Sequence, residues 1–195
     1  MSSPRSLCQF GALALAAALA GCASPDAAGP QGQAGLAGQA GPMGKMGGRM
    51  AMASLGPTEG SPVRGLVMFH ERDGQLMVHA RISGLQANAE HGFHVHELGS
   101  CASADGASAG GHFNPGGQPH GPQTSAHHAG DLPALRADAQ GVADQKFMLT
   151  GLTVAAGQSS VVGRAVIVHA QADDYRTQPT GNSGARLACG VIAAH

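Results

Sequence analysis

From residue 75 to residue 83 the chain alternates without a break. Leu76, Val78, Ala80 and Ile82 fall on one face, and Met77, His79 and Arg81 on the other. A period of two over nine residues fits a half-buried strand and no helix. Arg72-Asp73-Gly74 just before it is a tight-turn sequence, and residues 63–71 form a second strand-like run, so the pair reads as a hairpin. The pattern recurs at residues 49–55, 90–98, 132–137, 142–149, 161–169 and 187–193, and no helical period of useful length follows the first twenty residues. The chain is therefore expected to be all-β, with about eight strands. Two connections, residues 99–130 and 170–185, are too long for ordinary turns, and loops of that length are usually functional.

Histidines concentrate where those loops meet the strands. In His94-Val95-His96 an extended backbone puts both imidazoles on one face and Val95 on the other. His112, His120, His127, His128 and Asp131 share one stretch rich in Gly, Pro and Ser, and His169 ends a Val-Ile-Val run. A polar loop with four histidines and an aspartate is hard to explain as core. Imidazole with carboxylate suits zinc, and imidazole also suits copper.

Five segments together resemble the copper/zinc superoxide dismutases, in the form that bacteria export. They are His91-Gly-Phe-His-Val-His-Glu97, Gly111-His-Phe-Asn-Pro115, His128-Ala-Gly-Asp-Leu132, Gly163-Arg-Ala-Val-Ile-Val-His-Ala170 and Gly181-Asn-Ser-Gly-Ala-Arg-Leu-Ala-Cys-Gly190. The resemblance runs from about Met46 to the C-terminus. It implies an eight-stranded antiparallel Greek-key β-barrel with two functional loops. It implies one copper per chain on His94, His96, His112 and His169, and one zinc per chain on His112, His120, His128 and Asp131, with His112 bridging. Spacing alone barely separates His127 from His128; the family pattern selects His128. By the same resemblance, Asp173 links His94 to His120, His91 packs beneath the site, and Thr180 narrows the channel. Arg186 and His112 are the implied catalytic residues, and the reaction is disproportionation of superoxide to oxygen and hydrogen peroxide. The segment from Asp174 to Thr180 lacks the acidic and lysine cluster of the animal enzymes, which leaves anion steering to Arg186 and Arg176. The rival reading is a lipid-anchored protein that binds or buffers copper and zinc on the same scaffold.

The N-terminus reads as an export leader over residues 1–21. Arg5 supplies a positive charge, and residues 10–20 are apolar but too short to span a membrane. Leu19-Ala20-Gly21-Cys22 resembles a bacterial lipobox, which implies lipidation of Cys22 and anchoring in the cell envelope, with the periplasmic side of the outer membrane favoured. Residues 22–45 then read as a lipidated cysteine and a Gly/Ala/Pro/Gln tether, and 46–195 as the barrel. With Cys8 lost in the leader and Cys22 lipidated, Cys101 and Cys189 remain as an even pair. The family joins the cysteines at these positions in a disulfide. Met43, Met46, Met50 and Met52 follow the tether; thioethers suit copper(I), but the alternation of residues 49–55 makes Met50 and Met52 strand side chains. A net charge of −1 without a basic stripe argues against nucleic acid as a partner. Monomer and homodimer are equally compatible with the sequence.

Overall fold

The computed structural model describes residues 48–195. The leader, Cys22, the tether, Met43 and Met46 lie outside them. Ten strands form: β1 (Arg49–Pro57), β2 (Arg64–Arg72), β3 (Gln75–Ser83), β4 (Glu90–His91), β5 (Phe93–His96), β6 (Leu135–Arg136), β7 (Ala143–Leu149), β8 (Ala165–His169), β9 (Arg186–Val191) and β10 (Ala193–Ala194). Among the described residues, the one helical element is a 3-10 turn at Ala107–Ala109.

All the strand pairings are antiparallel. Strands β1, β2 and β3 form a meander, and β7 pairs with the far edge of β3. The chain between β3 and β7 crosses to the other half, where β5 pairs with β8 and β8 with β9. On its second edge β1 meets β9 at Gly56 and Pro57 and β10 at Ala51 and Met52. A short β4–β6 pair completes the array, and the Gln145 side chain ties β7 to β6 by accepting from Arg136 N–H and donating to Ala134 O. The result is the expected antiparallel Greek-key barrel.

The strand count differs from eight because two expected strands are each split. Residues 90–96 break at Gly92, before which the chain pairs with β6 and after which it pairs with β8. Residues 186–194 break at Ile192, whose N–H and C=O bond to Arg164 and Gly163 instead of to β1. Two others are shorter than expected. Residues 161–164 form a turn ahead of β8, with Gly163 at φ +80°. Pro133 brings no N–H to a ladder, and only Leu135–Arg136 of the expected 132–137 strand pairs.

Alternation accounts for the core. Ala51, Ala53 and Leu55 from β1, Val67 and Phe69 from β2, and Leu76, Val78, Ala80 and Ile82 from β3 all point inward. Phe93 is fully buried and meets Phe147 edge-on, with ring centroids 6.5 Å apart. Burying each such phenylalanine contributes about 1.5–3 kcal/mol. Strands β5 and β8 differ from the rest in being buried on both faces. Their second face is covered by the histidine-bearing loops.

Candidate metal centre

The loop after β5 returns along that strand as if it were another strand. Val95 N–H donates to Gly130 O, Phe113 N–H to Val95 O, and Glu97 N–H to Gly111 O, at 2.8, 2.8 and 2.9 Å. This register places His112 beside His96 and Asp131 beside His94. The approach needs glycine at 130: a Cβ there would stand 2.2 Å from Val95 O and 2.9 Å from Phe113 N. Backbone pairing alone thus sets four candidate ligands against the barrel wall.

Two buried groups of donors result. His94, His96, His112 and His169 form one, and His112, His120, His128 and Asp131 the other, each with its donor atoms within 4.8 Å of one another. His112 belongs to both. His127 belongs to neither; its Nδ1 lies 2.7 Å from Ser125 O. His91 lies below, with its Nδ1–H donating to His169 O at 2.8 Å.

In the first group, hydrogen bonds orient the rings. His96 Nδ1–H donates to Gly110 O at 2.9 Å and His169 Nδ1–H to Gly184 O at 3.2 Å. A carbonyl can only accept, so the proton sits on Nδ1 and the lone pair on Nε2. His94 is turned the other way: its Nε2–H donates to Asp173 Oδ2 at 2.6 Å, which leaves Nδ1 with the lone pair. Among the described residues, His94 Nδ1, His96 Nε2, His112 Nε2 and His169 Nε2 are buried without a hydrogen-bond partner. Four converging, unpartnered imidazole nitrogens are costly in a folded core and fit a copper ion. Burial, foremost, lowers the pKa of His94 to about 4, of His96 to about 2 and of His169 to about 3. These rings are neutral at pH 7 and ready to ligate.

The second group carries charge. His112 Nδ1, His120 Nδ1 and His128 Nδ1 stand 2.8, 3.0 and 3.2 Å from Asp131 Oδ1, and the His112 and His128 Nδ1 atoms are 3.5 Å apart. Ligands about 2.0 Å from a tetrahedral zinc lie ~3.3 Å from one another, so these separations suit zinc. Asp131 Oδ2 accepts the N–H groups of Gly121 and His128 at 3.1 and 3.0 Å. Burial opposes ionisation of Asp131, but its hydrogen bonds from His112 and His120 prevail and hold its pKa well below the usual range. Burial likewise opposes charge on His120, but Asp131 and Asp173 raise it to about 9. A proton on His120 supplies positive charge to the cluster that zinc supplies when bound.

Asp173 joins the two groups. Its Oδ1 accepts from His120 Nε2–H at 2.8 Å while Oδ2 accepts from His94. Arg186 NH1 and NH2 donate to Gly106 O and Gly110 O at 2.6 and 2.7 Å, and burial lowers its pKa from the ordinary guanidinium value. Arg186 lines an open cavity with Thr58, Glu59, Asp105, Gly184 and Ala185. The Thr180 carbonyl accepts from Ser183 Oγ–H at 3.1 Å. Cys101 and Cys189 form a disulfide that closes the loop holding Arg186. Strand pairing sets Arg186 opposite His169.

The family model for copper/zinc superoxide dismutase (SODC) matches residues 63–192. The chain belongs to this family. Its relatives include the "Superoxide dismutase-like protein YojM" of Bacillus subtilis, 41% identical over 140 residues, with 69% of this chain and 71% of the relative covered. The "Superoxide dismutase [Cu-Zn]" of Schizosaccharomyces pombe is 42% identical over 141 residues, with 68% and 90% covered. Among solved structures, a double mutant of a superoxide dismutase-like protein from Bacillus subtilis aligns with TM-score 0.66 and 40% identity, covering 73% of this chain and 96% of that one. Membership in the dismutase family matches the fit of the two donor groups to copper and zinc.

Several contributors to the centre carry no signal in the sequence. Gly106, Gly110 and Gly184 act through carbonyl oxygens, which every residue has. Gln178 holds His120 by both ends of its amide, accepting from His120 N–H at 2.8 Å and donating to His120 O at 2.9 Å. Its partner lies 58 residues away, and nothing local marks it.

Proposed function

We propose that this chain disproportionates superoxide to oxygen and hydrogen peroxide. The observation that carries the reading is the set of four unpartnered imidazole nitrogens, with a half-buried arginine paired opposite His169 that lines an open cavity. Copper, when bound by His94, His96, His112 and His169, would supply one-electron chemistry in both directions; zinc, on His112, His120, His128 and Asp131, is redox-inert and would supply charge and geometry. The chain's own part is positional. Arg186 stays cationic at working pH, is fixed by two carbonyls and pairs opposite His169, so it can attract a small anion beside the copper group. His112, shared by both groups, is placed to hold or release a proton at Nε2, while its Nδ1 faces Asp131.

The test is superoxide decay with the full chain loaded with copper and zinc. Rapid decay should vanish on copper removal, and Arg186→Ala should lower the rate and weaken its dependence on ionic strength. No acceleration despite one copper and one zinc bound would refute the enzyme and favour metal buffering. We also propose that the protein is exported and anchored through lipidated Cys22 on the periplasmic side of the outer membrane. The support is the lipobox-like Leu19-Ala20-Gly21-Cys22 alone. Radiolabelled palmitate should enter the wild type and not Cys22→Ser, and labelling of both would exclude that anchor.

A further inference from the structure

All five methionines among the described residues lie on one outward sheet face, and none is in the core. Met50 and Met52 flank inward Ala51 on β1, Met68 lies between inward Val67 and Phe69 on β2, Met77 between Leu76 and Val78 on β3, and Met148 beside Leu149 on β7. The outward face of an antiparallel sheet is ordinarily polar. A large apolar residue placed only there asks for a reason.

Register makes the arrangement specific. His70 is directly opposite Met50 on one side and Met77 on the other, and Met77 is opposite Met148. His195 continues the row beyond β1, where its N–H donates to Met50 O at 2.9 Å. One line across the sheet therefore reads His195, Met50, His70, Met77, Met148. The adjoining line reads Met52, Met68, His79, and there His79 Nε2 is already engaged, 2.7 Å from Asp144 Oδ1. Directly opposed residues have Cβ atoms about 4.5–5.5 Å apart. An unbranched thioether on either side of His70 can therefore reach an ion held at a nitrogen of that ring. Met50 is 38% and Met148 53% exposed, so the row is open to solvent.

Two thioethers and an imidazole are a soft, uncharged donor set, and the row holds no carboxylate. Such donors select copper(I) over zinc, calcium or magnesium. We propose that Met50, His70 and Met77 form a copper(I) site on the outer face of the β1–β2–β3 sheet, flanked by Met148 and His195. It shares no residue with the centre built around His112 and does not depend on the dismutase reading.

The full chain, loaded with copper and zinc, reduced, kept anaerobic and labelled with carbon-13 at the methionine methyls, is titrated with copper(I) held by a chromophoric chelator. One further copper(I) per chain should bind, with the largest shifts at the Met50 and Met77 methyls. Met50→Leu combined with Met77→Leu keeps apolar volume and so keeps the fold; it should weaken this binding more than tenfold, as should His70→Gln. The proposal is overturned if no further copper binds, if the double variant binds as the wild type does, or if the shifts are confined to Met43 and Met46.

Discussion

Replacing Asp173 by asparagine should damage the copper group and largely spare the zinc group, although Asp173 touches a histidine of each. The reason lies in which oxygen accepts which proton. Oδ1 accepts two, from His120 Nε2–H at 2.8 Å and from Tyr175 N–H at 2.7 Å, whereas Oδ2 accepts one, from His94 Nε2–H at 2.6 Å. An asparagine of the same shape has one acceptor oxygen and one donor NH2. The oxygen stays where two donors point, so the NH2 faces His94 Nε2. Two donors cannot share that contact. Either His94 turns away, or its proton moves to Nδ1, the nitrogen that serves the copper group. Losing an outer partner of this kind costs about 10–100-fold in metal affinity, or about 1.4–2.8 kcal/mol. Competition titrations of the apoprotein with chelators of known affinity should show copper weakened by that factor and zinc changed less than about threefold, by the same token. Nitrogen-15 spectra should show His94 protonated at Nδ1. A variant that loses zinc tenfold and keeps copper would refute this account of the tautomers.

Gly181→Ala should act on the same carboxylate from outside, because a Cβ at that residue, held at φ +64°, would lie 1.9 Å from Asp173 Oδ1 and 2.5 Å from His120 Nε2; chelator competition should show both metals weakened, and unaltered affinities would refute the contact. Zinc binding to the apoprotein should strengthen as pH rises from 6.5 to about 9, because zinc must displace the proton that Asp131 and Asp173 hold on His120; calorimetry in buffers of different ionisation enthalpy should count a proton released at pH 7.5. Without metal, that charged His120 contributes stability fully present below 6.5 and lost as pH rises through about 9. The depressed pKa values of His94, His96 and His169 act oppositely, so in urea melts from pH 6.5 down to about 4 the unfolded chain takes up more protons and stability falls, on the order of 1 kcal/mol per pH unit per ring. Removing the disulfide with Cys101→Ala and Cys189→Ala, 88 residues apart, should cost up to about 4–5 kcal/mol by loop entropy, and urea melts without any loss would show that the closed loop is not what stabilises the barrel.

Period-two alternation and the spacing of His94 and His96 are local properties, so the strands and half of one donor group can be found in the sequence. His112, His120, His128 and Asp131 are visible as residue types, but nothing local tells His128 from its neighbour His127. Folding separates them: His128 faces Asp131 and His127 bonds back to its own loop. Asp173 and Asp174 pose the same difficulty. Asp173 is buried between two histidines, while Asp174 is exposed and caps a turn through Thr177. Neither strand break could be read from alternation, because a break is a change of partner and the partners are distant in sequence. The same limit hides the tautomers. His96 and His169 present Nε2 because backbone carbonyls take their Nδ1 protons, while His94 presents Nδ1 because a side-chain carboxylate takes its Nε2 proton. A change in the loop backbone at Gly110 or Gly184 should therefore weaken copper, since the carbonyl there fixes which nitrogen of His96 or His169 carries the lone pair.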